Sequence, residues 1–114
     1  MKKMTEAMIQ RAVLDYLEWY AKSHKIYFFR SAAGAVKTEQ GRYFKTGKPG
    51  TPDISVCFKS KYWGLEIKTK TGRQSSSQKK AEAEILAAGG QYLIIRSLDD
   101  IKRVFPMGRG KNER

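Results

Sequence analysis

The clearest pattern of apolar positions lies near the start of the chain. Residues 5–22 contain no Gly or Pro, and apolar or aromatic residues recur there at helical spacing, namely Ile9, Val13, Tyr16, Leu17 and Tyr20. On a helix they share an arc of about 100°, which predicts an amphipathic helix with one buried face. Glu6 falls on the same arc. It is either a functional acid aimed at the sheet or an acid that stabilises the first turn through the helix dipole.

Four later segments are rich in β-branched and aromatic residues and predict strands. They cover residues 26–30, 53–58, 62–69 and 91–96. The turn between the second and third segments predicts that they form an antiparallel hairpin. The fourth segment is short and apolar enough to be a central strand of the sheet. Four glycines between residues 31 and 50 predict a loop or an irregular hairpin around residues 42–44.

Two further helices are predicted from their capping residues. Ser75 and Gln78 match a capping box that opens a helix, which continues to about Ala88 and ends at two glycines. Ser97 is placed to cap a short helix over residues 98–105. The order α-β-β-β-α-β-α predicts a small α/β fold in which helices flank a mixed sheet.

The charge of the chain narrows the choice of partner. Its 114 residues include 23 Lys and Arg against 11 Asp and Glu, a formal net charge of +12. A field of that strength favours nucleic acid, through neutralisation of phosphates. A solvated basic surface and attraction to anionic lipids are the alternatives. No apolar run approaches the ~20 residues that span a bilayer, so we expect no membrane segment.

The cysteine and histidine content excludes two kinds of site. Cys57 and His24 are the single residues of their types, so we expect neither an internal disulfide nor a zinc site. The N-terminal segment is charged rather than apolar, and together these features favour an intracellular, cytoplasmic protein. The length predicts one domain, residues 1–106, followed by a basic, frayed tail over residues 107–114.

Candidate chemistry lies in the predicted hairpin. The period of two along a strand places Glu66 and Lys68 side by side, on the face opposite Leu65 and Ile67. Asp53, thirteen residues before Glu66, begins the partner strand. Two carboxylates beside an amine suit phosphodiester hydrolysis, because carboxylate oxygens bind Mg²⁺ and the cation activates water. The alternative is an ordinary surface salt bridge between Glu66 and Lys68.

These residues resemble a known signature. The runs at residues 50–53 (Gly-Thr-Pro-Asp) and 65–68 (Leu-Glu-Ile-Lys) resemble the PD-(D/E)XK signature of restriction-endonuclease-like nucleases. With Gly72, Ser77-Gln78 and the run at 89–92 (Gly-Gly-Gln-Tyr), the ordered set is similar to VRR-NUC, the virus-type replication-repair nuclease domain. The resemblance extends from Glu6 to about Ile101 and implies the restriction-endonuclease-like core.

The resemblance also implies a set of site residues. In that family an Asp and a Glu bind the metal, a Lys is catalytic, and an acid of the first helix completes the site. Here Asp53 and Glu66 would bind Mg²⁺, or Mn²⁺ as a substitute, together with the backbone carbonyl of Ile67. Lys68 would take the catalytic role. Glu6 would complete the site and reach the metal directly or through water.

Gln78 has two interpretations. It shares a helix arc with Ala81 and Ile85, so its side chain should point inward. The family carries a Gln at this point, which implies a catalytic role through contact with the lysine or a phosphate. Alternatively, Gln78 is only the capping partner of Ser75.

The candidate DNA-binding cations are Arg30, Lys37, Arg42, Lys45 and Lys48. All but the first lie in the glycine-rich segment, where Tyr43 and Phe44 are interleaved with them. Such a segment suits phosphate contact and base stacking, or it is a solvated loop with local packing. Trp63 is assigned to core or dimer packing.

The leading hypothesis is therefore a metal-dependent, structure-selective DNA endonuclease that acts on branched DNA such as Holliday junctions. Free-standing domains of this family come largely from phage and bacteria, and the resemblance implies a homodimer with two sites at a fixed separation. No small-molecule cofactor and no membrane partner are expected. The alternative is a non-catalytic basic nucleic-acid-binding module, and a restriction enzyme with base specificity is a third possibility.

Overall fold

The computed structural model describes residues 3–31, 34–37 and 39–108, with the backbone alone for residues 34–37 and 43–46. The elements within them are α1 (Glu6–Tyr20), β1 (Ile26–Arg30), β2 (Gly34–Lys37), β3 (Tyr43–Thr46), β4 (Ile54–Phe58), β5 (Lys61–Ile67), α2 (Ser76–Ala87), β6 (Gln91–Ile95) and α3 (Leu98–Val104). The predicted small α/β fold is confirmed.

The first helix forms where the apolar pattern predicts it. Thr5 caps it, and its hydroxyl accepts a hydrogen bond from the Met8 backbone N–H at 3.1 Å. Ile9, Val13 and Leu17 are fully buried. Glu6, for which one of the two interpretations was an acid aimed at the sheet, is instead exposed. The arc gives a direction around the helix axis, but burial begins only one turn later, at Ile9.

Four strands form the main sheet in the order β1-β4-β5-β6. β4 is antiparallel to both β1 and β5, while β5 and β6 are parallel. The prediction that residues 91–96 lie at the centre of the sheet was wrong, because β6 is an edge strand. Its apolar side chains are buried on its two faces, Tyr92 beneath α2 and Ile95 in the main core.

The glycine-rich segment contains a separate two-stranded hairpin. β2 and β3 pair antiparallel, from Gly34 opposite Thr46 to Lys37 opposite Tyr43. One of the two predicted alternatives, a hairpin, is therefore present. It is joined to the main sheet through residues 47–53, which lead directly into β4.

The apolar core fills one face of the main sheet. It joins the stripe of α1 to inward side chains of the sheet and to α3, and its fully buried members are Ile9, Val13, Leu17, Ile54, Val56, Leu65, Ile67, Ile95, Ile101 and Phe105. The Tyr16 hydroxyl donates to the Phe105 carbonyl at 2.6 Å. Trp63 packs on the Phe105 ring at 5.4 Å between centroids, which is the core packing assigned to it as one of two alternatives.

The opposite face of the sheet is covered differently. α2 packs there against β6 and the adjacent part of β5. Ser75 caps α2 through the predicted capping box. Ser97 occupies the capping position of α3, but its side chain makes no capping hydrogen bond; instead the Asp100 carboxylate accepts from the Arg96 N–H at 2.8 Å. Among the described residues, no helix combines the length and apolar character that crossing a membrane requires.

Candidate active site

Asp53 is held at the point where β4 begins. It lies one residue beyond the last pair of the β4–β5 ladder, Ile54 opposite Leu65, and is therefore opposite Glu66. Its carboxylate Oδ2 accepts a hydrogen bond from the Ile67 N–H at 2.7 Å. Its carbonyl accepts from the Ser31 N–H at 2.8 Å. These contacts fix the carboxylate at the end of the ladder.

The turn before Asp53 approaches the rest of the site closely. Gly50 has φ +80°, and a Cβ there would lie 2.1 Å from the Ser77 carbonyl oxygen, so a side chain at this position would separate the turn from α2. Likewise, a Cβ on Gly64 would lie 2.6 Å from the Pro52 ring. The turn therefore packs closely on α2 at Gly50, and Pro52 packs closely on β5 at Gly64, because both positions lack side chains.

Glu66 is the buried carboxylate of the site, with 2% of its surface exposed. The Gln78 amide Nε2 donates to its Oε2 at 2.8 Å, and the Tyr92 hydroxyl approaches its Oε1 at 3.5 Å. Gln78 also accepts from the Ser75 N–H at 2.8 Å. The capping interpretation of Gln78 is therefore confirmed. Its side chain also points inward, but its partner there is Glu66, and the expected contact with the lysine or a phosphate stays a prediction.

Burial raises the pKa of Glu66 to about 8. Desolvation is the largest cause, followed by the negative charge of Asp53 and a hydrogen bond between the two side chains. The ammonium of Lys68 acts in the opposite direction and lowers the pKa, by less. Asp53 and Glu66 thus form one interacting pair, in which the buried member retains a proton at neutral pH.

Lys68 follows β5 directly, and its backbone N–H donates to the Ile95 carbonyl at 3.0 Å. Its side chain is 8% exposed. Within the described part of the chain, no ion pair joins it to Glu66; ion pairs there include Lys48–Glu84 and Arg103–Asp100. A surface salt bridge between Glu66 and Lys68 is therefore excluded, since both side chains are buried and unpaired with each other.

The arrangement can be compared with known proteins. No protein-family model matches the sequence, and no curated protein matches it. A solved structure described as "VRR_NUC domain" superposes with a TM-score of 0.62 at 14% sequence identity, covering 89% of this chain and 95% of that one. The chain has the fold of a VRR_NUC domain. The resemblance predicted from the sequence motifs is confirmed at the level of the fold.

On this VRR_NUC fold, the remaining predicted site residues are spread more widely. Glu6 is exposed in the first turn of α1. No three His, Cys, Asp or Glu side chains of the described residues form a group that could hold a metal ion, so Glu6 does not join Asp53 and Glu66. Ile67 buries its side chain in the core and can offer the site only its backbone.

The candidate DNA-binding cations lie at several places. Arg30, Arg42 and Lys48 are exposed, and Lys48 forms an ion pair with Glu84 at 3.1 Å. The side chains of Lys37 and Lys45 fall outside the described residues, as does the tail from residue 109 onward. The division into a domain over 1–106 and a tail therefore stays a prediction.

A chain of hydroxyl groups supports Asp53 from the side of β1. Ser31 Oγ donates to the Pro52 carbonyl at 2.9 Å, and Ser55 Oγ donates to Ser31 Oγ at 2.7 Å. Ser55 Oγ also lies 2.8 Å from the Tyr62 hydroxyl, which must donate because the Ser55 proton is already used. Sequence reasoning missed this hydroxyl chain. The one indication in the sequence was that Ser55, two residues after Asp53, lies on the same face of the strand.

Tyr92 and Gln74 were also missed as site residues. The Gln74 amide donates to the Tyr92 hydroxyl at 3.1 Å and to Glu82 at 2.9 Å. Burial raises the pKa of Tyr92 to about 12, so the phenol keeps its proton and can donate towards Glu66. The indication available in the sequence was a tyrosine within a predicted strand whose following residues are aliphatic.

The raised pKa of Glu66 predicts a stability change with pH. The unfolded chain ionises this carboxyl near the ordinary glutamate pKa of 4.5, whereas the folded protein retains the proton until about pH 8. The stabilisation is therefore fully present below about pH 4.5 and is lost as the pH rises through about 8. In metal-free buffer, Glu66→Gln should flatten the decline of the melting temperature across this window. Glu84→Gln, an exposed control, should keep the wild-type slope; equal slopes for wild type and Glu66→Gln would contradict the assignment.

Proposed function

We propose that this chain is a metal-dependent nuclease that hydrolyses phosphodiester bonds in DNA at Asp53, Glu66 and Lys68. The observation that carries the proposal is the interacting carboxylate pair at the adjacent ends of β4 and β5, with a buried lysine beside it. Structural packing alone does not favour such a pair, because burying one carboxylate near another is costly. The VRR_NUC fold supports the assignment.

The donor set fits a hard divalent cation. Two carboxylates and the backbone carbonyl of Ile67 are oxygen ligands of the kind that Mg²⁺ accepts, while substrate and water complete its coordination. Each carboxylate oxygen can accept more than one contact, so the hydrogen bonds from Ile67 and Gln78 leave capacity for a cation. When bound, Mg²⁺ or its substitute Mn²⁺ would supply positive charge to the phosphate and activate water for attack. Glu6 is left out of this set because it is exposed and forms no carboxylate cluster with the other two acids.

The protein side chains have separate tasks in this proposal. Asp53 and Glu66 bind the cation, and Gln78 and Tyr92 fix the orientation of Glu66 by donating to its two oxygens. The Lys68 ammonium stabilises negative charge that develops on the phosphate or orients the attacking water. Its buried aliphatic part limits the positions that the charge can reach, which is preorganisation of the kind that accelerates reactions.

The proposed substrate and assembly follow from the surface charge and from the resemblance. The net charge of +12 and the exposed side chains of Arg30, Arg42 and Lys48 suit a polyanion. Branched DNA, such as a Holliday junction, and a homodimer follow from the resemblance. Two copies would place two sites at a fixed separation, which suits symmetric cuts in a branched substrate.

A non-catalytic nucleic-acid-binding module is the alternative function. It would use the same basic surface but would have no need of a buried carboxylate pair or of an amide that orients Glu66. Cleavage, rather than binding, therefore distinguishes the two functions.

The direct test is incubation of the protein with four-way junction, flap and linear duplex DNA, with Mg²⁺ and with excess EDTA. We expect cutting only with Mg²⁺. Lys68→Ala should reduce cleavage by at least about 100-fold, since it removes a charge that acts on the transition state. DNA affinity should stay within about twofold, because one cation in 23 adds little to a diffuse field.

Two variants control for trivial causes of lost cleavage. Lys68→Met keeps the buried aliphatic stem and should be as inactive as Lys68→Ala, while Lys70→Ala, at an exposed lysine two residues on, should cut normally. Full activity in EDTA, or cleavage by Lys68→Met within a few-fold of wild type, would refute the proposal.

Glu6 provides a separate test of the site's limits. Because it is exposed in the first turn of α1, Glu6→Gln should lower the free energy of unfolding by roughly 0.3–1 kcal/mol through the helix dipole. Cleavage should remain within a few-fold of wild type. The melting curve and the cleavage rate of this variant distinguish the helix-dipole role from an active-site role. A large loss of cleavage with normal stability would show that Glu6 belongs to the active site.

A further inference from the structure

Helix α2 covers only half of the sheet face that carries the candidate site. It packs over β5 and β6, where Ile85 lies 3.4 Å from the position of a Cβ on Gly64. No helix of the described residues packs on the other half, which is formed by β1 and β4. Tyr27 is 69% exposed and Phe29 is 49% exposed on it, and their rings contact each other at 6.0 Å between centroids. These two rings together with Tyr62 are called the aromatic face below.

The aromatic face is continuous with the candidate site. Ser31 pairs with Asp53 through a hydrogen bond between their backbones, and Phe29 lies two residues before Ser31 on the same side of the sheet. Side chains on one face repeat about every 7 Å along a strand, so Phe29 and Tyr27 occupy the first and second rows away from Asp53. Tyr62 completes the second row, because Tyr27 is opposite Cys57 and Cys57 is opposite Tyr62.

The Tyr62 ring is held in place. Its hydroxyl donates to Ser55, which donates in turn to Ser31. The same hydroxyl chain that reaches the Pro52 carbonyl therefore ties one ring of the aromatic face to the backbone that precedes Asp53. Tyr62 and the backbone next to Asp53 therefore share these hydrogen bonds, so this ring would need little ordering on binding.

The charges around the aromatic face determine which occupant fits. Lys25 shares the strand face of Tyr27, while Arg30 and Lys61 occupy alternate positions at the ends of β1 and β5, and all three are exposed at the edges of this surface. Residues 25–31 contain no acid, and residues 53–68 contain only the two site carboxylates. A polyanion complements this surface, whereas a second copy docked by a two-fold axis would set the same cations against each other.

We propose that the aromatic face binds unpaired bases of the strand that is being cut, with Phe29 and Tyr27 stacking on the nucleotides next to the scissile phosphate. Flat rings stack on any base, and nearby cations hold the phosphates, which is how single-stranded nucleic acid is bound. In continuous duplex the bases are already stacked and paired, so the rings have no partner there. The substrate class is therefore nucleic acid with unpaired nucleotides beside the cut, and this inference rests on the proposed nuclease function.

The test measures binding by fluorescence anisotropy in Ca²⁺, which fits the site loosely and activates water poorly. Three probes are compared: a continuous duplex, the same duplex with a short single-stranded gap, and that gap built from abasic nucleotides. Wild type should prefer the base-bearing gap over the abasic gap by at least about fivefold, the smallest effect expected for one stacked base. The preference should disappear in the double variant Tyr27→Ala, Phe29→Ala.

A matched control is Trp19→Ala. Trp19 is 50% exposed on α1, which packs on the other side of the sheet, so this variant should keep the wild-type preference. All three proteins should bind the continuous duplex alike. Because Tyr27 and Phe29 are exposed, the double variant should also keep the wild-type melting temperature.

Each unfavourable outcome identifies what is wrong. Equal affinity of wild type for the base-bearing and abasic gaps overturns this inference and leaves the nuclease proposal standing, since that arm needs no variant. Light scattering that shows a wild-type dimer and a monomeric double variant makes the face a contact between copies, which also overturns it. A wild type that binds none of the three probes also overturns this inference, whereas the nuclease proposal is decided separately by the cleavage assay on four-way junction and flap DNA.

Discussion

The proximity of Asp53 and Glu66 is the constraint on which the rest of the site depends. The antiparallel register of β4 and β5 places them opposite each other, and burial leaves Glu66 2% exposed. Two like charges in that position repel, so the pKa of Glu66 rises to about 8 through desolvation and this repulsion together. The backbone N–H of Ile67 donates to Asp53, and the side chains of Gln78 and Tyr92 donate to Glu66. Among the described residues no ion pair joins either carboxylate, and the proposed cation would supply the missing positive charge.

The pair of carboxylates, Asp53 and Glu66, also explains how the two faces of the sheet differ. One face is packed by the stripe of α1 and by α3, and its side chains are apolar. The other face carries the carboxylates, the α2 residues that orient Glu66, and the hydroxyl chain from Tyr62 to Pro52. Among the described residues, no helix covers the half of that second face formed by β1 and β4, which is where the proposed function needs a nucleic acid to reach the carboxylates.

Features that depend on local sequence could be predicted, and features that depend on register could not. The period of two separated Leu65 and Ile67 from Glu66, and the capping box located the start of α2, because each needs only neighbouring residues. The hydroxyl chain joins three strands, so no single segment of sequence indicates it.

The wrong expectations have similar physical causes. The apolar character of residues 91–96 indicates that both faces of β6 are buried. It does not indicate whether β6 pairs with a second neighbouring strand, which is what a central position requires. For Glu6, the helical arc gave the direction of the side chain but not how far the packed sheet reaches along the axis of α1.

In the proposed function, Asp53 and Glu66 together bind a divalent cation. Isothermal titration calorimetry of the metal-free protein with Mn²⁺ tests it most directly, because it requires neither a substrate nor turnover. We expect saturable binding by wild type, loss of that binding in Asp53→Asn, and wild-type binding in Asp99→Asn, which changes an exposed acid on α3. Unchanged Mn²⁺ binding by a folded Asp53→Asn variant, or no binding by wild type, would contradict it.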